Sequence, residues 1–120
     1  MDKTVRMALL FDFYGELLTE RQREFFVLYY NENLTLSEIA ENSGVSRQAV
    51  RDLVSKSEVA LEDIESKTNL LAKFEEIKAD IEGVSSCVKE ISALNESALK
   101  NEALSGLCDR INVLIERMKQ

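Results

Sequence analysis

One stretch constrains this chain more than any other: Thr35 to Lys56, T-L-S-E-I-A-E-N-S-G-V-S-R-Q-A-V-R-D-L-V-S-K. Two helical patterns meet there at a glycine, the arrangement of a helix-turn-helix. Counted from Leu36, such a unit needs a branched apolar residue fourth, a small one fifth, glycine ninth, and apolar residues tenth, fifteenth and eighteenth. Ile39, Ala40, Gly44, Val45, Val50 and Leu53 fill those places. Ala40 lies where the helices cross closest, so a larger side chain would wedge them apart. Gly44 lies where the chain must turn through positive φ, which costs other residues roughly 1–2 kcal/mol. Ile39, Val45, Val50 and Leu53 fall on one buried face by helical spacing. That turns Ser46, Arg47, Gln48, Arg51, Asp52 and Ser55 outward. Thr35 and Glu38 have the spacing of a capping box for the first helix, and Ser46 suits the N-cap of the second. Ser43 stands where an apolar residue is commoner.

The rest of the composition agrees with a helical chain. There is no proline, and only Gly15, Gly44, Gly83 and Gly106 interrupt a sequence rich in helix formers, so an all-α fold is expected. Charge is less accommodating, because the net of −7 opposes nucleic-acid binding. Residues 1–58 carry ten acids against seven bases, and residues 59–94 carry eight against four. Within Ser43–Ser57, however, Arg47, Arg51 and Lys56 outnumber Asp52, a small basic patch on the candidate reading helix. Cys87 and Cys108 lie in helical sequence with no secretory signal, which points to small packing residues rather than a disulfide. The longest apolar run, Met7 to Phe11, is too short to span a bilayer, so a soluble, cytoplasmic protein with no membrane contact is expected.

In chain order, residues 4–14 form a helix apolar on most sides, with Val5, Leu9 and Phe13 at fourfold spacing and Leu10 and Tyr14 beside them, ending at Gly15. Thr19 and Gln22 repeat the capping-box spacing before a second helix, whose inner face carries Phe25, Leu28 and Tyr29 and which ends at Asn31-Glu32-Asn33. The run L-T-E-R-Q-R-E, an apolar helix, the N-E-N-L turn and T-L-S-E-I-A-E-N-S-G-V-S is similar to region 4 of bacterial sigma factors, a module that contacts promoter DNA through its second motif helix. A narrower resemblance rests on M-A-L-L-F-D-F-Y-G-E-L-L-T-E-R-Q, Y-Y-N-E-N-L-T-L-S-E-I-A-E and S-R-Q-A-V-R-D, in that order and spacing. Over residues 7–65 the chain resembles the YlxM-like family of small bacterial helix-turn-helix proteins. That resemblance implies DNA binding and, because such proteins are typically encoded beside signal recognition particle components, a link to that pathway.

Beyond the motif, apolar residues continue at Val50, Leu53, Ala60 or Leu61, and Ile64, extending the second motif helix to about Glu65 or Ser66. The stripe loses phase near Lys67 and restarts as Leu70, Phe74, Ile77, Ile81, Val84, Val88 and Ile91, alternating fours and threes over three heptads. Asn95-Glu96-Ser97 offers caps for a last helix striped by Leu104, Leu107, Ile111, Leu114 and Met118. The expected organisation is a helix-turn-helix domain over 1–66, with the motif at 36–55, and a C-terminal helical hairpin over 67–120. The hairpin faces can close on a second chain, making 67–120 a dimerisation region and the protein a homodimer. The alternative is a monomer with a six-helix core.

Three functional classes follow. As a double-stranded DNA binder, the chain would offer Arg47 or Arg51 to guanine, Gln48 to adenine, and Ser46, Ser55 and Lys56 to phosphates, with Asp52 on the same face. As an adaptor it would use the same scaffold on protein or RNA of the signal recognition particle, consistent with its acidity. Catalysis is not expected: there is no histidine, no phosphate-cradling glycine loop, no cysteine cluster with metal spacing and no nucleophile beside a base. No cofactor or metal site is expected.

Overall fold

Three Ser/Thr caps set the starts of three of the helices in the first seventy residues. In the computed structural model, which describes residues 1–119, Thr19 accepts from the Gln22 amide and Gln22 answers to the Thr19 amide at 3.0 Å, a closed capping box. Thr35 and Glu38 make the second box, and Ser46 accepts from the Ala49 amide at 3.1 Å. The helices are α1 (Lys3–Tyr14), α2 (Glu20–Tyr30), α3 (Leu36–Ser43), α4 (Arg47–Thr68), α5 (Leu70–Leu94) and α6 (Glu102–Met118). A short 3₁₀ turn, Gly15–Leu17, follows α1, and a π-turn, Asn95–Leu99, follows α5. Among the described residues there is no strand, and no helix is long and apolar enough to cross a membrane. The last residue of the expected 67–120 segment, Gln120, lies outside the described residues.

The chain divides into two compact units, Met1–Leu71 and Ala72–Gln120. In the first, α4 is the spine. Its buried line runs Val50, Val54, Ser57, Leu61 and Glu65. Val50 and Val54 pack with Phe25, Ile39 and Ala40, whereas Leu61 packs with Met7, Leu10, Tyr14, Leu18, Phe26 and Leu71. One helix thus serves two cores, which is why it runs for 22 residues without interruption. Leu53, expected in the motif core, is only half-buried, and Val54 takes the central place.

Helix α1 corrects the sequence expectation. Its inner line is Met7, Leu10 and Tyr14, while Val5 and Phe13 are 50% and 39% exposed. A stripe of such breadth can rotate either way; stacking of Phe11 on Phe26, with ring centroids 4.7 Å apart, goes with this rotation. The two buried polar residues of α4 are both satisfied. Ser57 donates to the Leu53 carbonyl at 2.9 Å, and the Glu65 carboxylate accepts from the Tyr14 hydroxyl at 2.6 Å and the Leu71 amide at 2.9 Å. That last bond places a carboxylate on the first turn of α5, where free amides and the helix dipole favour negative charge. Asn69 enters the left-handed region at φ 57 and ends α4, two residues past the expected break at Lys67.

In the second unit, α5 and α6 bury Ile81, Val88, Cys108 and Ile115 in one cluster, with Ile111 against it. The expected seams are otherwise largely in water: Leu70, Ile77, Val84 and Ile91 on α5 are exposed, as are Leu107, Leu114 and Met118 on α6. The buried line on each helix is rotated off the apolar stripe, toward small residues. Ser85 and Ser92 are half-buried beside Ile81 and Val88. Cys108 is a packing residue as expected; Cys87 is instead exposed, and both are free thiols. Asn95-Glu96-Ser97, expected to cap the last helix, instead lie in the π-turn that follows α5, and Asn101 caps α6 by accepting from the Leu104 amide at 3.0 Å. Buried Asn95 closes the joint, accepting from the Asn101 amide and donating to its carbonyl, so that Lys100 can take φ 47.

Candidate nucleic-acid interface

Gly44 turns the chain at φ 69, ψ 27, and its amide bonds to the Ala40 carbonyl at 3.0 Å, closing α3 in the left-handed cap that glycine adopts without strain. Three residues later α4 begins, and its first turns carry the expected reading residues. All seven, Ser46, Arg47, Gln48, Arg51, Asp52, Ser55 and Lys56, are exposed, but they do not form one set.

Arg47, Arg51 and Ser55, at fourfold spacing, line a groove of about 680 Å³ whose other walls are the start of α1, the α2–α3 connection and the start of α3. Tyr29, Asn33, Thr35 and Ser37 face the same space. Among the described residues neither arginine is in an ion pair. The groove therefore brings two uncommitted guanidinium groups to the N-terminus of α3, where backbone amides and the helix dipole also favour an anion. At its far end lies Glu58, which accepts from the Tyr30 hydroxyl and pairs with Lys3 at 3.3 Å. Lys3 answers much of the charge that would otherwise oppose the arginines. Burial, and then the hydrogen bond to Glu58, push the Tyr30 hydroxyl well above its ordinary pKa, so it stays a donor.

Gln48 and Asp52 sit on the neighbouring flank and engage each other: the Gln48 amide donates to Asp52 at 2.9 Å. A base that used Gln48 would have to displace that bond. Lys56 lies outside the groove, and Ser46 is occupied as a cap. Sequence reasoning missed Lys3, Asn33, Ser37 and Glu58. Glu58 continues the row of Arg47, Arg51 and Ser55 by a step of three, a signal that was readable; Lys3 and Asn33 reach the groove only through the packing of α1 and α2 on α4.

Comparison with known proteins identifies a family described as "Putative helix-turn-helix protein, YlxM / p13 like", UPF0122, which matches residues 1–105. A UPF0122 protein of Shouchella clausii is 44% identical over 114 residues, spanning 95% of this chain and 98% of that one. One from Halalkalibacterium halodurans is 47% identical over 103 residues, 81% of this chain and 94% of its own. One from Bacillus thuringiensis is 45% identical over 96 residues, 80% and 87% respectively.

Proposed function

Because the chain belongs to the UPF0122, YlxM / p13-like family of helix-turn-helix proteins, we propose that it binds double-stranded DNA, with α4 as the reading helix in a sigma region 4-like arrangement. The observation that carries this reading is the groove in which Arg47 and Arg51 meet the start of α3. A phosphate backbone seated at the N-terminus of α3 brings the first turns of α4 along base edges, where the groove leaves Arg47 and Arg51 free to reach guanine acceptors. Residues 67–120 act as an antiparallel hairpin that joins two copies, so that two reading helices are presented together. The protein works in the cytoplasm.

The excess of acid over base outside α4 favours a second reading, an adaptor that uses the same scaffold on protein or RNA of the signal recognition particle. One titration separates the two. Fluorescence anisotropy against a selected and a scrambled duplex, at two salt concentrations, gives for Arg47→Ala or Arg51→Ala a loss of about 1–3 kcal/mol on the selected duplex only. Lys56→Ala weakens both duplexes alike and lowers the salt slope by about one. Folded variants indistinguishable from the parent, or a parent that binds neither duplex at low salt, refute the DNA reading and leave the adaptor.

A further inference from the structure

On α5 the line turned toward α6 is buried Ile81 and Val88 with half-buried Ser85 and Ser92; on α6 it is buried Cys108 and Ile115 with Ile111 packed against them and half-buried Leu104. Three residues after a member of this line stand Val84, Ile91, Leu107 and Leu114, exposed by 48%, 41%, 50% and 52%. The same step of three turns the same way on each helix seen from its own N-terminus. Two antiparallel helices seen from one end wind oppositely, so both rows fall on the same side of the pair. One residue after the contact line stand Glu82, Lys89, Ser105 and Asn112, which by the same construction occupy the other side. The pair therefore has one polar face and one apolar face. With Ile77 and Met118 the apolar face leaves on the order of 500 Å² of apolar surface in water, the size at which a monomer's largest patch (~300–600 Å²) is often functional, and with its rims it approaches the ~800 Å² per partner of a standard interface.

The rims choose the occupant. Along the apolar face, the outer edge of α5 carries Lys73 near its start and Asp80 one heptad on, and that of α6 carries Arg110 and Arg117; among the described residues none of the four is in an ion pair. Resting on the hairpin dimer proposed above, we infer that this face is covered by a second copy of the chain, about a two-fold axis parallel to the helices, with α5 of each copy over α6 of the other and both joints at the same end. Ile81 and Ile115 are equally far in sequence from the joint, as are Val88 and Cys108, so Asp80 comes level with Arg117 of the second copy, twice per dimer. Stacking α5 on α5 with the joints at opposite ends would instead set the two arginine-bearing rims against each other.

Sedimentation equilibrium of the full chain, with mass-spectrometric readout of maleimide labelling, tests this. Cys87 lies on the α5 rim and is exposed, whereas Cys108 is buried. The expected result is a dimer in which Cys87 labelling slows as concentration rises. Asp80→Arg or Arg117→Asp should raise the dissociation constant about tenfold, because attraction of exposed-pair size turns to repulsion at two places. The double variant should return to within about threefold of the parent. Val84→Glu, on an exposed site that leaves folding intact by circular dichroism, should give a monomer. A parent that stays monomeric at high micromolar concentration overturns the dimer reading and this face with it; a monomer whose Cys87 is protected at every concentration does the same, by placing another part of the chain there. A dimer whose Cys87 labels independently of concentration, or whose double variant stays weak, overturns the face and its register while leaving dimerisation through 67–120 standing.

Discussion

Replacement of Gly44 isolates a single physical effect, because a Cβ built there meets nothing within 4 Å while φ is +69. Any cost is conformational rather than steric. The left-handed region costs an L-residue roughly 1–2 kcal/mol, and removing glycine returns about 0.4–1 kcal/mol by narrowing the unfolded ensemble. Gly44→Ala should thus destabilise the first unit by roughly 0.5–1.5 kcal/mol. Gly44→Asn, whose side chain tolerates this region, should fall within about 0.5 kcal/mol of the parent, and β-branched Gly44→Val should cost about 2–3 kcal/mol. Tyr14, Tyr29 and Tyr30, all three tyrosines of the chain, lie in the first unit, so tyrosine fluorescence in urea reports that unit alone. With a slope of about 1 kcal/mol per molar urea, the alanine variant should lose roughly 0.5–1.5 M in midpoint at unchanged slope. An asparagine variant as unstable as the alanine one would refute the argument, since both share the lost glycine and only the left-handed tolerance differs.

Gly15 should behave oppositely: its φ is an ordinary −54, but a Cβ would lie 2.9 Å from the Phe11 ring, which is held by stacking on Phe26, so Gly15→Ala should cost about 1–3 kcal/mol by overpacking in the same urea assay. Glu65→Ala removes the acceptor for the Leu71 amide and for Tyr14, and the expected loss is about 1–3 kcal/mol, with faster amide exchange at Leu71; unchanged exchange there would disprove the cap. Burial first, and hydrogen bonding to Glu65 and Glu58 second, raise the pKa of Tyr14 and Tyr30 above the ordinary 10.0. Raised folded values mean that the stability they contribute is fully present below pH 10 and is lost as pH climbs toward the folded values. Tyr30→Phe should flatten that alkaline loss in melting curves taken between about pH 9 and 11, and an identical pH profile would count against the Glu58 contact.

The legible parts of this chain are those governed by neighbours in sequence. Caps at Thr19, Thr35 and Ser46 and the left-handed turn at Gly44 depend on residues at most four apart, so spacing alone placed them where they occur. The all-helical class followed from the same local preferences. Stripe rotation was decided elsewhere. Helix α1 carries apolar residues on several faces, and only packing against α2 and α4 selected Met7, Leu10 and Tyr14 over Val5 and Phe13. On α5 the heptad alternation marked a real apolar row, yet only Ile81 and Val88 of it were buried against α6, on a line where Ser85 and Ser92 are half-buried. The division of the reading residues had the same origin. Spacing put all of them outward, but the groove that gathers Arg47, Arg51 and Ser55 and leaves out Gln48 and Asp52 exists only because α1, α2 and α3 wall one side of α4. A sequence specifies which faces a helix has; which of them meets another helix depends on contacts between residues far apart in the chain, and those form only when the whole unit packs.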